Sequence, residues 1–391
     1  MHMDLSYIIN ELGEERDLYF NAIAPPIVQS SNFAFDTVAA LRELLLDEYN
    51  GFLYSRGNNP TIDILRQKLA ALDGAEDALV FGSGAAAIFT TVLSQLKKGD
   101  HVVCVRDPYS WARRLFENIL PRFGVDTTFV DGTATAHFEA ALQPNTALIY
   151  LESPNSLTFE LQDVAAIAQL ARSRGITTII DNSYCTPLYQ QAHVMGIDLC
   201  LQSATKFISG HSDTMAGVVT GTREKIRRIF ASEFLNIGSG IAPFNAWLLL
   251  RGLRTLEIRL QRSAASTAKV VERLKRHPLI EKIFFPLDPD FPQYELATRQ
   301  MKGAAGLLTI QLKADNRDQV ELFCNSLQHF LMAVSWGGHE SLAFPACASL
   351  KAEDFNVNEP KHRMVRLYIG LEDPGYLIAD LEQALEKIGK A

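Results

Sequence analysis

"TTIIDNSYCTPLYQQAHVMGIDLCLQSATKFISGHSDTMAGVVTG", residues 177–221, holds three short apolar runs, "TTIIDN", "DLCLQ" and "AGVVTG", parted by turn-rich stretches. Each run is apolar on both faces, which is the pattern of a strand inside a parallel or mixed sheet that helices cover. Two chemically active side chains stand where runs end. Asp181 closes the first, and Lys206 follows the second, just after Ser203 and Thr205. In a parallel sheet ligands collect beyond the carboxyl ends of the strands, so these are the positions a binding site would use. Each residue also has an ordinary explanation: most lysines are surface charges, and an aspartate after a strand is as readily a helix cap.

Working outward, further runs of the same kind precede this stretch: "ALVF", "HVVCV", "TTFV" and "ALIYLE". The segment "TIDILRQKLAALDG" places Ile64, Leu65, Leu69 and Leu72 on one helical face and stops at Gly74. Residues 59–250 are therefore expected to form a large α/β domain. Residues 1–58 show little periodicity beyond "TVAALRELLLDEY" and read as an arm. From 251 a smaller C-terminal α/β domain is expected: a long helical pattern, "FNAWLLLRGLRTLEIRLQRSAASTAKVVERLKR", runs into the strands "GLLTIQL" and "VRLYIG" and a closing helix "YLIADLEQALEKI".

At 391 residues the chain is too long for one ordinary core, and with 47% hydrophobic and 21% charged residues it has the composition of a folded globular protein. A net charge of −8, with no basic stripe and no apolar run of membrane-spanning length, argues against nucleic-acid and membrane partners. The opening residues carry acidic side chains where a signal peptide needs positive charge. Five cysteines stand singly, without metal-ligand spacing or a disulfide framework. Together these features place the protein in the cytoplasm.

The strand-end residues fit one cofactor. Pyridoxal 5'-phosphate (PLP) requires a lysine for its Schiff base, an acid to keep its pyridine nitrogen protonated, and a phosphate seat. Lys206 and Asp181 supply the first two. The turn from Gly82 to Ala85 before a helix, with the hydroxyls of Ser203 and Thr205, supplies the third. Ser203 to Lys206 also matches the S-x-x-K signature of penicillin-binding proteins, but the S-D-N and K-T-G tripeptides that accompany it are missing from the chain, and the serine follows a strand.

The motifs "YSRGNNPT", "FGSGAAA", "DPYS", "LESPNS", "IIDNSY", "SATKFISGHSD", "RGLRTL", "SWGGHESL" and "VRLYIGLED" closely resemble, in order and spacing, those of the Cys/Met-metabolism family of PLP-dependent enzymes. The resemblance covers essentially the whole chain. It implies an α/β fold of the fold-type I, aspartate-aminotransferase-like kind, and a homotetramer built as a dimer of dimers. Residue by residue, it implies that Lys206 carries the cofactor, that Asp181 meets the pyridine nitrogen and that Tyr109 stacks on the ring. Gly84, Ala85, Ser203 and Thr205 would hold the phosphate, with Tyr54 and Arg56 reaching over from a neighbouring subunit. Arg366, assisted by Ser335, would grip the α-carboxylate of an amino-acid substrate.

Within the family, the loop "ESPNSL" puts Ser156 where many relatives have the asparagine that meets the phenolic oxygen of the cofactor. This is similar to bacterial cystathionine β-lyases, as is Trp336 in "SWGGHESL". Val334 replaces a glutamate often found in γ-cleaving relatives, and Tyr109-Ser110-Trp111 departs from the Y-G-C of methionine γ-lyases. The resemblance thus implies β-elimination of L-cystathionine, or a similar β-thio amino acid, to homocysteine, pyruvate and ammonia. Lys206 is the expected base, and Lys206 or Tyr109 the proton donor. Cystathionine γ-lyase, cystathionine γ-synthase and methionine γ-lyase types are the alternatives inside the family, and a PLP-binding regulator without turnover the alternative outside it.

Overall fold

The structure is a computed structural model that describes residues 3–389. Residues 1–2 and 390–391, the outer ends of the expected arm and C-terminal domain, lie outside the described residues. The chain divides into two compact units. Unit 1 takes residues 1–153, 162–209 and 213–255; unit 2 takes 154–161, 210–212 and 256–391.

Unit 1 is built on seven strands: β1 Asp77–Phe81, β2 His101–Val105, β3 Asp126–Val130, β4 Thr146–Glu152, β5 Thr177–Asp181, β6 Leu199–Gln202 and β7 Gly217–Gly221. They coincide with the seven apolar runs of the sequence. Their order is β1-β7-β6-β5-β4-β2-β3, and β7 alone runs antiparallel to its neighbours. Every residue of β2 and β6 is buried, as a sheet covered on both faces demands.

The helix Pro60–Leu72 shows how local chemistry sets these elements. Asn59 caps it by accepting from the Thr61 N–H, Pro60 opens it, and Gly74 at φ +67° follows its end. Its apolar face, Ile64, Leu65, Leu69 and Leu72, is buried, and each such side chain contributes about 1.5–3 kcal/mol. Arg66 on the same helix grips Asp77 at the start of β1 through two nitrogens, at 2.7 and 2.6 Å.

Unit 2 holds a five-stranded sheet, with β8 Ile280–Phe284, β9 Leu307–Leu312, β10 Leu331–Met332, β11 Leu342–Pro345 and β12 Met364–Tyr368. Their order is β10-β11-β12-β9-β8. β9 and β12 answer to "GLLTIQL" and "VRLYIG". The other three have no clear apolar signal: β8 carries exposed Glu281 and Lys282, β10 is two residues long, and β11 ends in a proline.

Three features differ from the expected domain plan. Within the one chain, residues 1–58, expected as an arm, cluster with unit 1. Buried Lys68 holds the start of the chain, donating to the carbonyls of Ile8 and Ile9 at 2.9 and 3.0 Å and pairing with Glu14 at 3.1 Å. The helical pattern beginning at Phe244 is two helices, Pro243–Leu253 and Leu256–Leu274, and the main boundary falls between them rather than at 250. Finally, 154–161 and 210–212 cluster with unit 2: the Leu161 N–H donates to Gln293 Oε1 at 2.8 Å, and the Ser212 hydroxyl donates to Glu340 Oε1 at 2.5 Å. Among the described residues no helix is long and apolar enough to cross a membrane.

Candidate active site

The parallel ladder of unit 1 brings the functional side chains to one edge. Glu152 and Asp181 are register partners at the ends of β4 and β5, and Asp181 is also paired with Leu201 of β6. Parallel strands that finish in register present their next residues together, so Glu152, Asp181 and the turn Ser203–Lys206 share the carboxyl edge.

Asp181 is buried, at 7% exposure, and its Oδ1 accepts the Ser183 N–H at 2.9 Å. Burial pushes its carboxyl above the ordinary value; hydrogen bonds from the Ser183 side chain and backbone, then the Lys206 charge, pull it back. Lys206 is half-buried in a turn in which its N–H donates to the Ser203 carbonyl at 3.1 Å. The structure thus brings the expected lysine and acid within electrostatic reach of each other.

The anion seat is formed at the start of the helix Gly84–Ser94. Ser83 caps this helix by accepting from the Ala86 N–H at 3.1 Å, which leaves the Gly84 and Ala85 N–H groups at the helix mouth. A Cβ at Gly84 would lie 2.9 Å from Ser203 Oγ. Glycine is therefore what lets the Ser203 hydroxyl close on the helix start. The second expected hydroxyl behaves differently: Thr205 Oγ1 donates to the Ala216 carbonyl at 3.2 Å and accepts its N–H at 3.0 Å, which ties the turn to the segment leading into β7. Backbone donors, a hydroxyl, a lysine and a buried acid make a donor set that fits a phosphate-bearing pyridine aldehyde. Tyr54 and Arg56 are both exposed, and the Arg56 guanidinium lies 5.6 Å over the Tyr54 ring.

Tyr109 heads a short helix, exposed to 40%, and its phenol is pushed up by burial and then by the Asp181 and Glu152 charges. Glu152 fixes it in place by accepting the Tyr109 N–H at 2.5 Å. The sequence reading passed over Glu152, although "ALIYLE" leaves a carboxylate at a strand end just as "TTIID" does. Trp111 is not part of that edge. It lines an apolar cavity of about 330 Å³ with Ala85, Ile88, Phe89 and Leu115, and the Arg114 guanidinium sits 4.7 Å over its ring.

Unit 2 carries the remaining expected residues. Arg366 lies on β12, between β11 and β9. It donates through Nη1 to the Ser156 carbonyl at 3.1 Å, and its guanidinium stands 5.3 Å over Phe344. Ser156 thus has its main chain engaged by Arg366. The adjacent Asn155 is buried and consumed by its own loop: its Oδ1 accepts the N–H groups of Leu157, Thr158 and Phe159 at 2.9–3.0 Å. Ser335 adopts a left-handed φ of 76°, a strained state for a non-glycine residue. Its neighbours differ: Val334 is 73% exposed, whereas Trp336 is 7% exposed and packs as core.

Comparison with known proteins agrees with this chemistry. The profile of the family described as "Cys/Met metabolism PLP-dependent enzyme" matches residues 7–386. An L-methionine gamma-lyase of Treponema denticola is 37% identical over 378 residues, 95% of this chain and 94% of that protein. A cystathionine gamma-lyase of Macaca fascicularis is 34% identical over 380 residues, 96% of this chain and 92% of that one. The crystal structure of metB from Corynebacterium glutamicum superimposes with a TM-score of 0.91 at 32% identity, covering 99% of this chain and 98% of that one. The fold is that of fold-type I PLP enzymes, and the chain belongs to the Cys/Met-metabolism family, with pyridoxal 5'-phosphate as its cofactor.

Proposed function

We propose that the protein is a carbon–sulfur lyase that performs β-elimination on L-cystathionine or a similar β-thio amino acid. When bound, the cofactor supplies an electron sink that makes the substrate Cα–H acidic. Lys206, in the turn after β6, holds the cofactor and, once released by the incoming amino acid, takes the Cα proton. Asp181 keeps a proton on the pyridine nitrogen. The departing sulfur receives its proton from Lys206 or from Tyr109, whose raised pKa keeps the phenol protonated at neutral pH. Arg366 binds the α-carboxylate, assisted by Ser335, whose backbone holds a left-handed φ of 76°. Overall, water and L-cystathionine give homocysteine, pyruvate and ammonia: the Cα–H and Cβ–S bonds break on elimination, and water then replaces the Cα–N bond with the keto oxygen as ammonia leaves.

The observation that carries the choice of the β-carbon is Val334. It is exposed and apolar, and offers no carboxylate to the distal ammonium of a cystathionine turned for γ-cleavage. The second reading, γ-elimination, is favoured by the names of the relatives at 34–37% identity. Incubation with L-cystathionine separates the two, since pyruvate supports β-elimination and 2-oxobutyrate replaces it with γ-elimination.

The proposal extends to assembly and place. Exposed Tyr54 and Arg56 complete the phosphate seat of a neighbouring subunit in a homotetramer. Mixed oligomers of inactive Arg56→Ala and inactive Lys206→Ala chains should then recover activity; verified hybrids without recovery would refute shared sites. Five buried cysteines, all unbridged, fit a reducing cytoplasm.

A further inference from the structure

Asp181 faces a demanding environment. Lys206 in the turn after β6 bears on it with positive charge. From β4 come Glu152, its register partner, and Tyr150; Tyr109 stands at the head of its short helix, and Cys200 comes from β6. Burial raises the two phenols and the thiol, so these stay neutral near pH 7. Near-complete burial favours the neutral acid, which could not hold a protonated pyridine nitrogen.

One residue counters this from two directions. Ser183 gives Asp181 its backbone N–H at 2.9 Å, and its side chain also pulls the carboxyl down. The same hydroxyl oxygen accepts the Ser203 N–H at 2.6 Å. Ser203 is the residue whose side chain closes on Gly84 at the anion seat. Ser183 is thus bonded to the acid at one end of the cofactor and to the seat for the other end, although it lies 20 residues from Ser203 in the chain. Its own position is rigid. Neighbouring Asn182 donates to the Gln190 carbonyl at 2.8 Å and accepts from the Gln190 amide at 2.9 Å, and its N–H continues the ladder to Leu201 at 2.8 Å.

We propose that Ser183 is a positioning residue that holds the Asp181 carboxylate ionised and aimed, and couples it to the Ser203 side of the phosphate seat. The inference rests on the cofactor of the family and is independent of which carbon–sulfur bond is cut.

The test uses the holoenzyme without substrate. Ser183→Ala keeps the backbone N–H but removes the hydroxyl that pulls the Asp181 carboxyl down and accepts the Ser203 N–H. The pH at which the visible band of the bound cofactor changes should therefore move down by about one unit, and the cofactor should dissociate about tenfold more readily. With substrate, kcat should fall about tenfold while KM stays near wild type. Ser183→Thr keeps the hydroxyl and should restore all three. A serine that only supports the fold would lower the melting temperature and leave the spectral titration and cofactor affinity alone, and that outcome would overturn the proposal. Should Ser183→Ala fail to fold, Ser183→Cys, a weak donor, replaces it; a wild-type titration from that variant would equally overturn it.

Discussion

The carboxyl edge of the unit 1 sheet and the loops of unit 2 hold functional residues in different ways. Glu152, Asp181 and the Ser203–Lys206 turn are the ends of adjacent parallel strands, so a continuous ladder of backbone hydrogen bonds sets their spacing. Val334 and Ser335 instead sit on a loop after the two-residue β10, and Arg366, though on a strand, has its guanidinium fastened to the Ser156 carbonyl of loop 154–161. A ladder fixes proton-transfer geometry to fractions of an ångström, while a loop can change its side chains without disturbing a core. Under the proposed function, reaction chemistry falls to unit 1 and substrate choice to unit 2. Substitutions in the two regions should therefore fail differently.

Lys206→Ala tests the assignment most severely. Removing the base and the covalent tether should lower turnover by about 10²–10⁴-fold or more, while the phosphate seat still retains some cofactor. Near-normal turnover, followed by pyruvate release, would break the assignment to unit 1.

Asp181→Asn should cost on the order of a hundredfold in turnover. Because burial raises Asp181 above its unfolded value, its favourable contribution to folding is present in acid and lost as pH rises through the raised value. At neutral pH the ionised group is then a net cost. The cofactor-free Asn variant should therefore melt a few degrees higher than wild type at pH 7, a gap that closes in acid. A lower melting temperature at pH 7 would contradict this.

For unit 2 the expected failures are selective. Arg366→Lys replaces a planar fork by a point charge and should lower kcat/KM by about ten- to a hundredfold, mostly through KM, with the absorbance of the resting enzyme unchanged. A changed resting spectrum would place Arg366 with the cofactor rather than the substrate.

Val334→Glu is the mildest change. One new charge-assisted contact to a distal ammonium is worth about 1.5–3 kcal/mol when desolvated and less at an exposed site, so the 2-oxobutyrate fraction from L-cystathionine should rise by up to about tenfold. Chromatography of the products decides it; an unchanged ratio would remove Val334 from substrate choice.

Much of this was legible in the sequence. All seven unit 1 strands stood out as apolar runs, because strands covered on both faces have no polar side to disguise them. Asp181 could be picked out because it closes such a run, and Lys206 because it stands four residues past the end of another, among hydroxyls. In unit 2 the signal weakened with the burial: β8 exposes Glu281 and Lys282, and short β10 and β11 carry no period to read.

What the sequence by itself determined was therefore the layered α/β plan, the strand-end residues and, through its ordered motifs, the family. The tertiary structure alone decided how polar groups far apart in the chain are paired. It spent the Thr205 hydroxyl on Ala216 and Asn155 on its own loop, buried Trp336, set Glu152 against the Tyr109 N–H, and placed Ser183 between Asp181 and Ser203. It also drew 154–161 and 210–212 into unit 2. The physical reason is range. Hydrophobic periodicity is written in neighbouring residues and survives without the fold, whereas a hydrogen bond between residues 20 or 43 positions apart exists only after strand register has brought donor and acceptor together.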